Sequence, residues 1–157
     1  MFSAELENLN AYLLGHGIVH FSAKELTWIN YLKKRSIPPE ELWSNILPTL
    51  HFLEFARLKF GAIRVISGYR DADSNHRIPG TAKHSQHIQF RAVDSAPIKG
   101  NLYEYKRFIR KFYECKMLIT GKEARMFGAI SKMMGIGAYS WGVHVDFGYK
   151  QRIWGSW

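Results

Sequence analysis

Cysteine is nearly absent from this chain of 157 residues, where Cys115 stands alone. An intramolecular disulfide is thereby excluded, as is a zinc site built from thiolates, so a bound metal has to be held by histidine and carboxylate. Acidic residues are also scarce, 13 against 22 Lys and Arg, which leaves a net charge of +9. Such an excess favours an anionic partner through long-range attraction, and nucleic acid and bacterial cell wall both qualify. A dispersed basic surface that serves only solubility is the plain alternative. No apolar run is long enough to span a bilayer. The first residues carry Glu5 and Glu7 where a secretion signal carries Lys or Arg. Cytoplasmic synthesis without a signal peptide is therefore expected.

What is present describes a folded chain. Hydrophobic residues at 46% and aromatics at 15% are enough for a core without covalent staples. One domain is expected over 1–157, with 1–20 as an N-terminal helical extension. Leu6, Leu9 and Leu13 have helical spacing within a helix over 4–14. Ser22 and Glu25 have capping-box spacing, with Phe21 and Leu26 placed as a hydrophobic staple. A helix should therefore start at Ala23 and run to the Ser36–Pro39 stop. Pro39 opens a further helix toward Phe60, in which Pro48 predicts a kink or two short helices and Gly61 the end.

Ile63–Ser67 reads as a strand, and 68–85 as a long polar loop of the functional kind. A second strand covers 91–96. Asn101 and Glu104 have capping spacing ahead of an amphipathic helix to about Tyr113, and another helix is expected over 123–134. Short strands at 135–139 and 143–148 are joined by a turn. The irregular alternation of helices and strands gives an α+β class, a small antiparallel sheet with helices packed against it.

Chemistry concentrates in 67–94 and in a distant segment around His144. A catalytic zinc site takes three N or O ligands and keeps one position open. His87, Asp94 and His144 meet that count. Taken singly, Asp94 reads better as a strand-end carboxylate, and His144, between Val143 and Val145, as a satisfied core histidine.

The surrounding residues alter that balance. Ser67-Gly68-Tyr69-Arg70, Asn75, Ser85-x-His87, Ala92-x-Asp94, Gly137-x-Tyr139, Val143-His144-Val145-Asp146-x-Gly148 and Arg152-x-Trp154 form an ordered set. It resembles the zinc D-alanyl-D-alanine carboxypeptidase family of metallopeptidases. That family includes D-Ala-D-Ala dipeptidases, L-alanoyl-D-glutamate phage endolysins and murein endopeptidases, and the HVDFG ending is most similar to the murein-endopeptidase and phage branch. The likeness runs from about Phe21 to Trp154.

The resemblance implies a hedgehog/DD-peptidase-like fold and a Zn2+ peptidase cleaving peptidoglycan stem peptides or cross-links, with His87, Asp94 and His144 as metal ligands. With no signal peptide and a basic charge, a monomer acting on the cell wall after release, or carried on a virion, is expected, with no nucleic-acid partner. Arg70 aligns with an oxyanion or substrate-carboxylate clamp, and Tyr69 and Ser85 are candidate substrate contacts. Asn75, His76 and His84 are candidate wall residues.

Two departures stand out. Phe90 occupies a position where the family usually has Gly, so a different local packing near His87 is expected. Trp141 occupies the position of the usual acidic base. Asp146 is the remaining candidate, projecting to the His144 side of its strand. It either polarises the metal-bound water or holds a ligand imidazole in its tautomer. If it does neither, the alternative is a non-catalytic zinc-stabilised module that binds wall or peptide.

Overall fold

The computed structural model describes residues 3–114, 130–148 and 150–157 of the chain. Helix α1, Ala4–Gly15, starts at Ser3, whose side chain accepts from Leu6 N, and it buries Leu6, Leu9 and Leu13. Helix α2, Ala23–Leu26, begins at the expected capping box: Ser22 Oγ accepts from Glu25 N, and the Glu25 carboxylate accepts from Ser22 N.

Helix α2 ends after one turn rather than at Pro38. The Leu26 carbonyl accepts from Tyr69 N at 2.7 Å, so an acceptor that the next turn would use is committed to a distant part of the chain. Trp28–Ile29 (β1) and Lys34–Arg35 (β2) pair instead as an antiparallel hairpin. A 3-10 helix over Glu40–Ile46 then leads into α3, Leu47–Phe60. Pro48 lies in the first turn of α3, where a missing N–H breaks no helical bond, so it separates two helices. Gly61 ends α3 at φ 67.

Five strands form the main sheet: β3 Ile63–Ser67, β4 Ala92–Pro97, β5 Met134–Ala138, β6 Val143–Phe147 and β7 Arg152–Gly155, in the order β3-β4-β6-β5-β7. All neighbours are antiparallel except β5 and β7, which run parallel. The architecture is α+β, as expected, with β7 as a strand added at the sheet edge.

The stretch 68–85 is not loop throughout. It contains α4, Ala72–Arg77, capped by Asp71, whose carboxylate accepts from Ser74 N at 2.8 Å and Ser74 Oγ at 2.6 Å. Burial alone would raise the Asp71 pKa, but hydrogen bonds from Ser74 and Ser36 and the charge of Lys34 hold it well below the usual carboxylate range. The helix expected over 123–134 falls mostly outside the described residues; at its end a 3-10 turn, Ile130–Met133, enters β5. Helix α5, Leu102–Tyr113, starts where Asn101 accepts from the N–H groups of Tyr103 and Glu104.

Alternation along the strands separates two chemistries. Val93, Ile136, Val143, Val145 and Phe147 face the core, with Phe52 and Leu53 of α3 and Phe108, Ile109 and Phe112 of α5. Phe52 meets the rings of Phe112 and Phe147 at 4.7 and 6.0 Å. Each such side chain contributes about 1.5–3 kcal/mol by burial. Ser95, on the same face, shares a 2.8 Å hydrogen bond with the Tyr105 hydroxyl of α5. Helices therefore seal one face of the sheet, and Asp94, His144 and Asp146 project from the other. Among the described residues no helix is long and apolar enough to cross a membrane.

Candidate metal centre

The centre is laid out by sheet register. One row of strand partners runs Ser67, Asp94, His144, Gly137 and Trp154 across β3, β4, β6, β5 and β7. The next runs Ala92, Asp146, Gly135 and Arg152. Residues so paired share a face. Asp94 and His144 are therefore neighbours because their strands pair, although 50 positions separate them.

His87 reaches the same place from a turn. Ile88 N donates to Ser85 O, Phe90 N to His87 O, and Arg91 N to Gln86 O. The turn is tied to the end of β3 by Arg70 N donating to His87 O at 3.3 Å. Phe90 closes it at φ 50, fully buried, with its ring edge-on to Tyr69 at 5.7 Å. The backbone thus takes the left-handed conformation that a glycine adopts most readily, at a strain of about 1–2 kcal/mol. What differs with Phe90 is the ring packed beneath the turn.

His87, Asp94 and His144 are 2%, 7% and 6% exposed, and one ligand atom from each lies within 4.8 Å of the others. His87 Nε2 faces Asp94 Oδ2 at 3.3 Å, and His144 Nδ1 faces Asp94 Oδ1 at 2.8 Å. The opposite nitrogens are anchored: His87 Nδ1 donates to Gly68 O at 2.6 Å, and His144 Nε2 donates to Asp146 Oδ2 at 2.9 Å. Each imidazole is thereby set to present its remaining nitrogen to Asp94, the arrangement by which metal-binding histidines are oriented.

A metal fits this donor set. His87 Nε2 is buried and has no hydrogen-bond partner among the described residues, a situation that a bound cation resolves. Burial lowers the His87 pKa, against the opposing pull of Asp94, so the ring is neutral as a ligand must be. For Asp94, burial would raise the pKa, but the neighbouring His87 and His144 imidazoles hold it well below the usual range. Burial would likewise lower the pKa of His144, but hydrogen bonds to Asp146 and Asp94 push it up to about 9, so a metal binding at Nδ1 would have to displace that ring's proton.

Asp146 is fully buried. Both its oxygens are taken by Arg152 Nη2, at 2.6 and 2.7 Å, and one also receives His144 Nε2. Gly135 makes the room for this contact: a Cβ there would lie 2.4 Å from Asp146 Oδ2 and 2.7 Å from Arg152 Nη2. Gly137 does the same one row up, where a Cβ would lie 2.3 Å from the Trp154 ring. That indole sits 5.1 Å from the His144 ring.

These groups lie at a cleft of about 710 Å³, which Arg70, Ser85, His87, Asp94 and His144 line together. Arg70 is 8% exposed, with its Nε unpartnered among the described residues. Burial lowers its pKa and the charge of Asp94 raises it. Ser85 Oγ also accepts from His87 N at 3.3 Å, so it orders the turn from the cleft side.

A family model described as Peptidase M15 matches residues 19–127, more than half of the chain. The chain belongs to the Peptidase M15 family. No curated protein and no solved structure matches it. The matched span holds His87 and Asp94, while His144 lies beyond it and is brought beside Asp94 by the register of β6 against β4.

Tyr69 is buried in the core with its ring edge-on to Phe90, and it is not among the residues that line the cleft. Asn75 is buried in α4, and its Nδ2 donates to Ala82 O, which shapes the 78–82 rim. His76 is exposed on α4 and is not part of the cleft wall, whereas His84 is. Trp141 lines the cleft and carries no carboxylate. Sequence reasoning assigned no role to Arg152 and the Gly68 carbonyl. A signal for Arg152 was present in the spacing of Gly135 and Gly137, which leaves one sheet face open to large neighbours.

Gly68 yields a direct prediction for this M15 site. A Cβ on it would lie 2.3 Å from the Leu26 carbonyl oxygen and 2.8 Å from Leu26 Cα, both rigid backbone. Gly68→Ala must therefore displace the carbonyl that anchors His87. We expect a loss of about 1–3 kcal/mol in unfolding free energy and weaker metal binding by about tenfold or more, read by chemical denaturation and metal titration. Unchanged metal affinity would show that this carbonyl is not needed to orient His87.

Proposed function

We propose that this M15 chain is a zinc peptidase that hydrolyses peptide bonds in bacterial peptidoglycan, in the stem peptides or the cross-links. The observation that carries this reading is the buried convergence of His87 Nε2, His144 Nδ1 and Asp94, each imidazole anchored through its other nitrogen. Two imidazoles and one carboxylate suit zinc with a coordination position left open. Zinc held there supplies a Lewis acid that makes hydroxide available near neutral pH.

The chain's own residues supply the rest. Arg70, nearly buried and lining the cleft, presents a fixed guanidinium to a substrate carboxylate or to the oxyanion that develops on the scissile carbonyl. Ser85 holds the His87 turn and offers its hydroxyl to bound peptide. Asp146 acts as an orienting residue: its oxygens are engaged by Arg152 and His144, which leaves it unsuited to take a proton from water. The net charge of +9 suits an anionic wall. A phage lysis or virion enzyme, or a small bacterial wall hydrolase, acting as a monomer after release, fits these features.

One observation favours a second reading. Among the described residues, Asp94 is the only carboxylate that lines the cleft, and His84 is the imidazole on its rim outside the ligand set. A module that binds zinc and wall peptide without cleaving it needs no base. Digestion of purified peptidoglycan separates the two. The peptidase reading expects release of new peptide termini that ceases with chelator and returns with zinc. Stoichiometric zinc without any released termini would establish the binding module.

A further inference from the structure

The residue that displaces the expected acidic base is part of an aromatic wall. Trp154 lies 5.1 Å from the His144 ring, and its Nε1 donates to the Tyr139 hydroxyl at 3.1 Å. Tyr139 in turn stacks on Trp141 at 4.6 Å with only 4° between the planes. All three line the cleft, so a continuous run of rings leads from the metal centre outward. The turn that carries it is fixed: Tyr139 N donates to Gly142 O at 2.9 Å, and a Cβ on Gly142 would lie 2.7 Å from Ser95 O.

Trp141 remains 47% exposed although Tyr139 covers one of its faces. The ring thus combines a stacked contact on Tyr139 with a large exposed surface at the cleft wall. The ring is already held in place, so a ligand that stacks on it loses little to ordering the site. We propose that the outer face of Trp141 is a saccharide subsite, which receives the amino sugar that carries the peptide stem while the peptide lies across the metal centre.

This inference rests on the peptidoglycan reading above and narrows its substrate class to sugar-linked peptide. Stem peptides are built from alanine, an acidic residue and a diamino acid, none of which offers a flat surface to an indole. A pyranose offers one: its axial C–H groups form an apolar face and its hydroxyls project around the edge. Polar groups stand in the same cleft to meet those hydroxyls, among them Asn30, Ser67, Thr81 and His84. An apolar platform with a few convergent polar groups is the usual construction of such a site.

The test uses the zinc-loaded protein and two measurements. In the first, a peptide-free N-acetylglucosamine–N-acetylmuramic acid disaccharide is titrated by calorimetry into the parent protein, Trp141→Ala and Trp141→Tyr. Saturable binding is expected, weakened about tenfold or more in Trp141→Ala, as loss of one stacking contact implies, and less in Trp141→Tyr. Absence of binding, or equal binding by Trp141→Ala, overturns the proposal. In the second, kcat/KM is compared for a disaccharide-linked stem peptide and the same peptide without sugar. A preference of about tenfold for the sugar-linked form is expected, collapsing toward one in Trp141→Ala, whereas equal use of both by the parent protein overturns the proposal. Trp141-dependent disaccharide binding with neither peptide cleaved leaves the subsite standing and removes the peptidase reading. Cleavage of both peptides without disaccharide binding does the reverse.

Discussion

His87→Ala is expected to abolish both stoichiometric zinc and peptidase activity. A structural zinc site in a peptide is worth about 10–16 kcal/mol over four ligands, so one ligand accounts for about 2.5–4 kcal/mol, or about 10²–10³ in affinity. The substitution does more than remove a donor. It leaves the Gly68 carbonyl without the Nδ1–H that it receives at 2.6 Å, a cost of about 1–3 kcal/mol for a buried acceptor. The turn 85–90 keeps its backbone bonds, so the fold should survive at reduced stability. Zinc content by atomic absorption, circular dichroism and muropeptide digestion together check this. The exposed His16, at the end of α1, provides the control, since His16→Ala should keep full zinc. Retention of full zinc by folded His87→Ala would refute the ligand assignment.

Asp146→Asn carries the second large effect, and its kinetics separate two roles for one residue. Asn keeps the shape and can still accept from His144 Nε2, but it loses the negative charge that faces Arg152 Nη2 at 2.6 Å. If Asp146 orients His144, zinc affinity should fall by about 10–100-fold, and saturating zinc should restore turnover to within a few-fold. If Asp146 were the general base, turnover should drop by about 10²–10⁴ and no added zinc should recover it. We expect the first pattern, because the fully buried carboxylate already accepts from Arg152 and His144. Arg152→Met should weaken zinc binding in the same direction, since it acts through Asp146.

Local signals were legible wherever a residue acts on its own neighbours. Ser22 with Glu25, Asn101 ahead of α5, Gly61 after α3 and the leucine spacing of α1 all did what their types and spacing predict. Expectation failed where a distant partner intervened. Helix α2 stops because Tyr69 N takes the Leu26 carbonyl, and nothing within 23–37 records that competitor. Helix α4 was hidden by its polar composition, although Asp71 three residues before Ser74 is a capping signal. Strand β7 is a short edge element of alternating exposure. It is defined by parallel pairing with β5, and a four-residue segment alone carries no evidence of that partner.

The amino-acid sequence by itself determined the ligand types, because with a lone cysteine a metal can be held only by histidine and carboxylate, and the ordered motifs singled out His87, Asp94 and His144. It also determined that Trp141 cannot serve as a carboxylate base. Only the tertiary structure showed which groups engage Asp146, whose oxygens are filled from β6 and β7, and that the Tyr69 ring packs in the core. It alone revealed that Trp141 continues a wall of rings that starts beside His144. The physical reason is the same in each case. Residue chemistry is intrinsic to the side chain, whereas a proton's destination and a ring's open face depend on which strands become neighbours.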